Sequence, residues 1–181
     1  MSFIRIAFTP PVPADREAER ICQLLDSGVD LVHLRHPGIS EEEAAEILSG
    51  IPREYLGRIT LHDHFRLAER HPVGGIHLNR RNPEESEGFA PMAGRIRRSR
   101  SCHTFEEVTS SRGFDYVTLS PVFDSISKHG YRAAFDYDDL KAFLAGCPVG
   151  VIALGGVTPA HESRLIGLGF RGAAMLGHYW A

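Results

Sequence analysis

Lysine is almost missing from this 181-residue chain: Lys128 and Lys141 are the only two, against 18 arginines. The bias makes Lys128, set in a polar loop, stand out. Cysteine is scarce as well. Cys22, Cys102 and Cys147 are odd in number and form no C-x-x-C pair, which gives no disulfide framework and points to free thiols in a reducing compartment. Cys102 differs from the other two in sitting beside a histidine, His103. No apolar run approaches the roughly 20 residues of a membrane helix; Val149–Leu154 is among the longest. The N-terminus carries an early Arg5 and no long apolar stretch, so no signal peptide is read there and a cytoplasmic protein is expected, with no membrane partner. A dominant charge is also lacking. A net charge of -3 gives no general reason to bind nucleic acid. The Arg95–Arg100 run has no interleaved aromatic residues and reads as a solvated face or subunit contact.

What is present is a regular alternation of short apolar runs with helical patterns. Strands are predicted at Phe3–Phe8, Leu31–Arg35, Arg58–Leu61, Gly75–Leu78, Arg95–Ser101, Tyr116–Leu119, Val149–Leu154 and Gly172–Leu176. Between the first two, Ala14, Ala18, Ile21, Cys22 and Leu25 share a helical face that Ser27-Gly28 ends. Ser40 with Glu43, and Thr104 with Glu107, have capping-box spacing; Thr158-Pro159 reads as a cap followed by a first-turn proline. A short helix is expected around Phe65–Glu69 and a longer one near Asp136–Leu144. Asn79–Gly94 reads as a loop in place of a fourth helix, and Ser120–Ala134 as a long polar loop. Strand-helix alternation means a parallel sheet. Eight units point to a compact (β/α)8 TIM barrel occupying 1–181 as one domain, with a doubly wound open sheet as the alternative. The length is short for a barrel of typically about 250 residues. Tyr179-Trp180-Ala181 leaves no room for an eighth helix, so either its groove is open, filled by Trp180 or covered by a partner, or the sequence is a truncated one.

Barrel active sites lie where strands end. The polar residues there are His33 and Arg35; His62, Asp63 and His64; His77, Asn79, Arg80 and Asn82; Ser101 and His103; Ser125, Ser127 and Lys128; Gly155 and Gly156; and Gly177 and His178. Leu154-Gly155-Gly156-Val157 joins a strand to a helix start, where unpaired N–H groups and the helix dipole favour phosphate; a tight turn needing positive φ explains the same glycines. Ser125-Ile126-Ser127-Lys128 offers two hydroxyls and an ammonium. With Arg35 and Arg80 or Arg81 it suits a phosphate or diphosphate. Asp63 fits Mg2+ shared with substrate phosphates. Alternatively His33, His62, His64, His77 and His103 include ligands for a Zn or Fe site, although strand alternation argues against all five facing inward. His103 suits a general acid or base.

In order and spacing, these motifs resemble the thiamine phosphate synthase/TenI family. The resemblance rests on His33-Leu34-Arg35, Leu61-His62-Asp63-His64, Gly75-Ile76-His77-Leu78, Ser101-Cys102-His103-Thr104, Ser120-Pro121-Val122-Phe123, Ser127-Lys128 and Ala153-Leu154-Gly155-Gly156-Val157. It implies a (β/α)8 barrel, usually a homo-oligomer. The implied chemistry is either Mg2+-dependent joining of a pyrimidine diphosphate to a thiazole phosphate, or isomerisation of a thiazole phosphate without metal. By match, Arg35 contacts diphosphate, Asp63 holds Mg2+, Ser125, Ser127 and Lys128 form the diphosphate loop, and Gly155 and Gly156 hold the thiazole phosphate. The sequence departs from the synthases at Pro37, where they carry lysine. It departs again at His62 for asparagine, Asn79-Arg80 for Gly-Gln, Asn82 for a second metal carboxylate and Gly177 for serine. The losses fall on the diphosphate-metal half. The resemblance then favours the TenI-like tautomerase with His103 as acid/base, with a divergent synthase or a non-catalytic phosphate binder as alternatives.

Overall fold

A computed structural model of the chain describes residues 2–83, 96–124 and 134–180. Eight parallel strands close into a barrel in sequence order. They are β1 (Ile4–Phe8), β2 (Leu31–Leu34), β3 (Ile59–Leu61), β4 (Gly75–Leu78), β5 (Arg97–Cys102), β6 (Tyr116–Leu119), β7 (Gly150–Ala153) and β8 (Gly172–Met175). Pairing of Ile4 with Gly172 and of Ile6 with Ala174 joins the last strand to the first, which excludes the open sheet. The helices are α1 (Glu17–Asp26), α2 (Glu41–Ser49), α3 (Arg53–Leu56), α4 (Phe105–Thr109), α5 (Tyr137–Ala145), α6 (Glu162–Leu168) and α7 (Gly177–Trp180), with 3-10 turns at Phe65–Glu69 and Pro159–His161. No helix among the described residues is long and apolar enough to cross a membrane.

Period-2 alternation sorts each strand's residues to one side or the other. Outward residues such as Val32, Leu61 and Ile76 pack under α1 and α2, while Val117, Val151 and Ala173 pack under α5 and α6. Inward residues include Ile6, Phe8, Tyr116, Ile152 and Ala174. The β5 segment starts two residues later than its sequence suggests. Its Arg98 and Arg100 lie outside, over the Phe114 ring at 5.3 and 5.6 Å, while Ser99 is buried. Arg95, also assigned to that strand, lies outside the described residues.

The local signals hold where side chains close the caps. Ser40 Oγ accepts from the Glu43 N–H at 3.2 Å, and Glu43 Oε2 accepts from the Ser40 N–H at 3.0 Å. The second box is displaced: Thr104 accepts from Glu107, but the Glu107 carboxylate turns back to the His103 N–H. The first helix begins at Glu17 rather than near Ala14, because Arg16 sits in the left-handed region at φ 52°. The eighth helix is a single turn, α7, rather than absent. It leaves Trp180 half-buried against the α1 side of the core. Beside it lies a cavity of about 440 Å3 lined by Arg20, Gln23, Ser27 and Tyr179, spanned by the Arg5–Glu162 ion pair at 2.6 Å.

Candidate functional site

The upper interior of the barrel is polar. Register pairs His33 with Thr60 and Thr60 with Gly75, so His62 and His77, each two residues on, rise to the same level. Alternation therefore brings three of the five candidate histidines together: His33, His62 and His77 are all buried, with one ligand nitrogen from each within 4.8 Å of the others. The other two do not join them. His64 turns outward to the Ile39 carbonyl at 2.7 Å, and His103 is exposed beyond β5.

Each buried ring has polar partners, as desolvation requires. His33 Nε2 lies 2.7 Å from the Tyr116 hydroxyl, and His33 Nδ1 lies 2.8 Å from His62 Nε2. The Ser99 hydroxyl donates to the Ile76 carbonyl at 3.2 Å, so it accepts from His77 Nδ1 at 2.8 Å. That places the His77 proton on Nδ1 and its lone pair on Nε2, where Ser101 donates at 2.9 Å. Ser101, a candidate phosphate ligand by sequence, is thus spent on His77. Phe8 stacks on His33 at 4.7 Å, and His62 stacks on His77 at 4.3 Å. Burial lowers the pKa of all three histidines, with neighbouring histidines and arginines in the same sense; His77 falls to about 3. The rings are neutral at physiological pH.

Above the histidines sits an arginine-carboxylate corner. Thr9 Oγ1 accepts from the Arg35 N–H at 2.8 Å and fixes where that residue leaves β2. Burial lowers the pKa of the half-buried Arg35, Arg81 acts in the same sense, and Asp63 opposes both. Asn79 builds the turn that follows β4: its Oδ1 accepts from the Arg81 N–H at 2.9 Å, the local side-chain turn typical of asparagine. That turn aims Arg81 at Asp63, with contacts of 2.9 Å to Oδ2 and 3.2 Å to Oδ1. Asn82 adds an amide donor to Asp63 Oδ1 at 2.6 Å. Both carboxylate oxygens are therefore engaged, and a guanidinium stands where a cation would. The residues do not fit Mg2+ in this arrangement, because the ion enters only if Arg81 leaves. Of the two arginines the sequence offers here, Arg80 is exposed, and Arg81 makes the contacts at this corner.

Across the mouth, the β6 and β7 loops run side by side. Gly155 and Gly156 have φ of 88° and 63°. A Cβ on Gly155 would lie 2.8 Å from Pro121 Cα, and one on Gly156 would lie 2.2 Å from the Asp124 carbonyl oxygen. Tight backbone packing against the neighbouring loop alone thus requires both glycines. Among the described residues, the N–H groups of Gly155, Gly156 and Val157 have no hydrogen-bond partner. A 3-10 turn intervenes before α6 starts at Glu162, so the unpartnered donors of this edge are loop amides rather than a helix terminus. Thr158 caps that turn with its N–H donating to His161 Nδ1 at 3.2 Å, and His161 stacks on Phe123 at 4.0 Å.

His103 stands on the other flank of the same loop. Its Nδ1 lies 3.0 Å from the Ser120 carbonyl oxygen, which only accepts, so Nδ1 carries the proton and Nε2 the lone pair. Gly177 is exposed with open space around it. Cys102 is fully buried, its Sγ 3.8 Å from Ser111 Oγ, and burial raises its pKa. It is a packing residue rather than a nucleophile. Ser125, Ser127 and Lys128 lie outside the described residues. Sequence reasoning misses Tyr116, Thr9 and Ser120, which act by holding His33, Arg35 and His103. It takes Asn79 as a strand-end polar residue and a departure from the synthases, although an asparagine directly after a strand is a turn signal in its own right.

The sequence model of TMP-TENI, thiamine monophosphate synthase, matches residues 6–178. The thiamine-phosphate synthase of Escherichia coli O1:K1 is 28% identical over 180 aligned residues, covering 95% of this chain and 83% of its own. The crystal structure of thiamine phosphate pyrophosphorylase from Bacteroides thetaiotaomicron superimposes with a TM-score of 0.84 at 32% identity, covering 98% of this chain and 85% of that one. Thiamine phosphate pyrophosphorylase from Pyrococcus furiosus, at 19% identity and a TM-score of 0.76, shares the fold.

Proposed function

Because the chain belongs to the thiamine monophosphate synthase (TMP-TENI) family, we propose that it acts on a thiazole phosphate in thiamine biosynthesis, as a tautomerase. The observation that carries this reading is the contrast between two corners of the mouth. Asp63 is closed by Arg81 and Asn82. The Gly155–Val157 amides and His103 Nε2, on either flank of the Ser120–Asp124 loop, have no hydrogen-bond partner among the described residues.

In this reading the three amides hold the phosphate, supplying donors that need no reorganisation. His103 Nε2 removes a proton from one position of the thiazole unit and returns it at another, so the composition of the substrate is unchanged. The Ser120 carbonyl keeps the proton on Nδ1 and stabilises the imidazolium that forms between the two transfers. Lys128 is assigned to the phosphate as a point charge. Converting the thiazole phosphate tautomer and following its aromatic absorbance tests the proposal. The His103→Ala enzyme is expected to lose about 100- to 10,000-fold in turnover, and unchanged turnover removes His103 from this role.

A second reading, joining a pyrimidine diphosphate to a thiazole phosphate, draws support from the synthase activity for which the relatives are named and from Arg35 beside Arg81. It requires Mg2+ and diphosphate together to draw Arg81 away from Asp63. Thiamine phosphate formed from both substrates with Mg2+, measured as fluorescent thiochrome, would favour it over the tautomerase. Product would vanish in Lys128→Ala. Binding of thiazole phosphate with neither reaction would reduce the protein to a ligand binder.

A further inference from the structure

Barrel interiors are ordinarily filled by layers of branched apolar side chains. Here three imidazoles from consecutive strands replace part of that filling. We propose that His33, His62 and His77 form a binding site for a divalent transition-metal ion, Zn2+ foremost, at the floor of the barrel mouth. The inference is independent of which reaction the mouth performs, since its readout is the ion itself.

Geometry supports it first. One nitrogen from each ring lies within 4.8 Å of the others, and Zn–N bonds of about 2.0–2.1 Å set tetrahedral ligand atoms roughly 3.4 Å apart. Closure therefore needs a contraction of about 1.4 Å at most. It comes from turning the His62 and His77 rings out of their 4.3 Å stack. His33 Nδ1 and His62 Nε2 already stand 2.8 Å apart, aimed at one another.

The outer contacts of His33 and His77 match what ligating histidines require, namely a partner for the ring nitrogen that does not bind the ion. Ser99 accepts from His77 Nδ1 and leaves Nε2 as the ligand atom. Tyr116 sits on His33 Nε2 and leaves Nδ1. In the bound arrangement His33 is protonated on Nε2 and donates to the Tyr116 oxygen, while His62 and His77 are protonated on Nδ1. All three rings stay neutral, so no proton need leave. Two bonds are given up: Ser101 releases His77 Nε2, and the His33 Nδ1–His62 Nε2 bond opens as its proton moves to the other nitrogen of its ring.

Chemistry selects the ion. Neutral imidazoles suit Zn2+, Cu2+, Fe2+ and Ni2+, whereas Mg2+ takes oxygen ligands. Three protein ligands leave a fourth position, which faces the mouth and takes water or a ligand oxygen, the open form of a zinc site. Arg35 is the opposing element, since its charge acts on His62 and His77. The three-histidine site is distinct from Asp63, which is engaged by Arg81 and Asn82.

Titrating the chelator-treated protein with Co2+ tests the proposal. The expected result is one equivalent of Co2+ giving the visible bands of a four-coordinate ion, displaced by one equivalent of Zn2+. The bands disappear in folded His77→Gln and His33→Gln proteins. The affinity loss exceeds the about 10- to 100-fold typical of removing an outer-shell partner. The wild-type titration stands even where a variant does not fold. Absence of four-coordinate bands in the wild type overturns the site, as does their persistence in His77→Gln. Loss in Asp63→Asn with retention in the histidine variants overturns it too, by assigning the ion to the carboxylate.

Discussion

Strands β2 to β5 and strands β7, β8 and β1 face one axis with opposite chemistry. The first set contributes His33, Thr60, His62, His77 and Ser99 to the interior, while the second contributes Ile152, Ala174, Ile6 and Phe8. Tyr116 of β6 joins them, packed with the apolar set and hydrogen-bonded to His33. The same division continues upward. Over the polar half stands a network of side chains, Arg35, Asp63, Arg81 and Asn82; over the apolar half stand the unpartnered backbone amides of Gly155–Val157. The lesson is that single substitutions can rewrite a mouth half built of side chains, while a half built of backbone amides keeps its donors whatever the side chains are.

Acid should break the comparison most strongly. The three buried histidines have pKa values held below the roughly 6.5 of the unfolded chain. Above pH 7 neither state binds the protons. As pH falls through 6.5 the unfolded chain takes them up and the folded one does not, so stability declines. The loss is on the order of 1 kcal/mol per histidine between pH 7.5 and 5.5, and roughly three times that for the cluster. Urea midpoints of the metal-free protein at those two pH values measure it. An unmoved midpoint would show that the rings are not held neutral. His77→Leu should remove about a third of the slope.

On the opposite half, Gly156→Ala places a Cβ 2.2 Å from the Asp124 carbonyl oxygen at a φ of 63°. The expected cost is about 1–3 kcal/mol of strain, with weaker binding of inorganic phosphate by calorimetry; wild-type stability and binding would remove this edge from the site. Tyr116→Phe probes the seam. It leaves His33 Nε2 buried without a partner and should cost about 1–3 kcal/mol in denaturant melts. The smallest effect belongs to Gly177→Ala, where a Cβ meets open space. Stability should stay within about 0.5 kcal/mol, and a larger change would mean that Gly177 does more than its exposed position indicates.

The strands are legible in the sequence because Val, Ile and Leu runs of strand length repeat between caps, and the bounds of β4 and β6 agree to the residue. The arginine-rich β5 is the hardest, since its long side chains cover an outside face rather than announcing a strand. A single turn such as α3 carries no periodicity to detect. The site is legible as a set of strand-end residues but not as an arrangement. Which three histidines converge depends on the stagger between strands, and that stagger is written nowhere in any one segment. His103 is legible as a candidate; its tautomer is not, because the carbonyl that fixes it comes from Ser120, 17 residues away. Arg80 and Arg81 are neighbours with the same chemistry, and only the Asn79 turn decides between them.

The parallel ladder between β6 and β7 does not stop where the strands do. Val122 donates to the Leu154 carbonyl at 3.0 Å and Phe123 donates to the Gly155 carbonyl at 3.1 Å, two further rungs beyond the last strand residues. The two loops are therefore spliced over Val122–Phe123 and Leu154–Gly155, and a residue inserted within either pair breaks the register of the other. Amide deuteration should reveal the splice as a slow-exchanging pair, Val122 and Phe123, within a stretch of sequence that otherwise exchanges as loop.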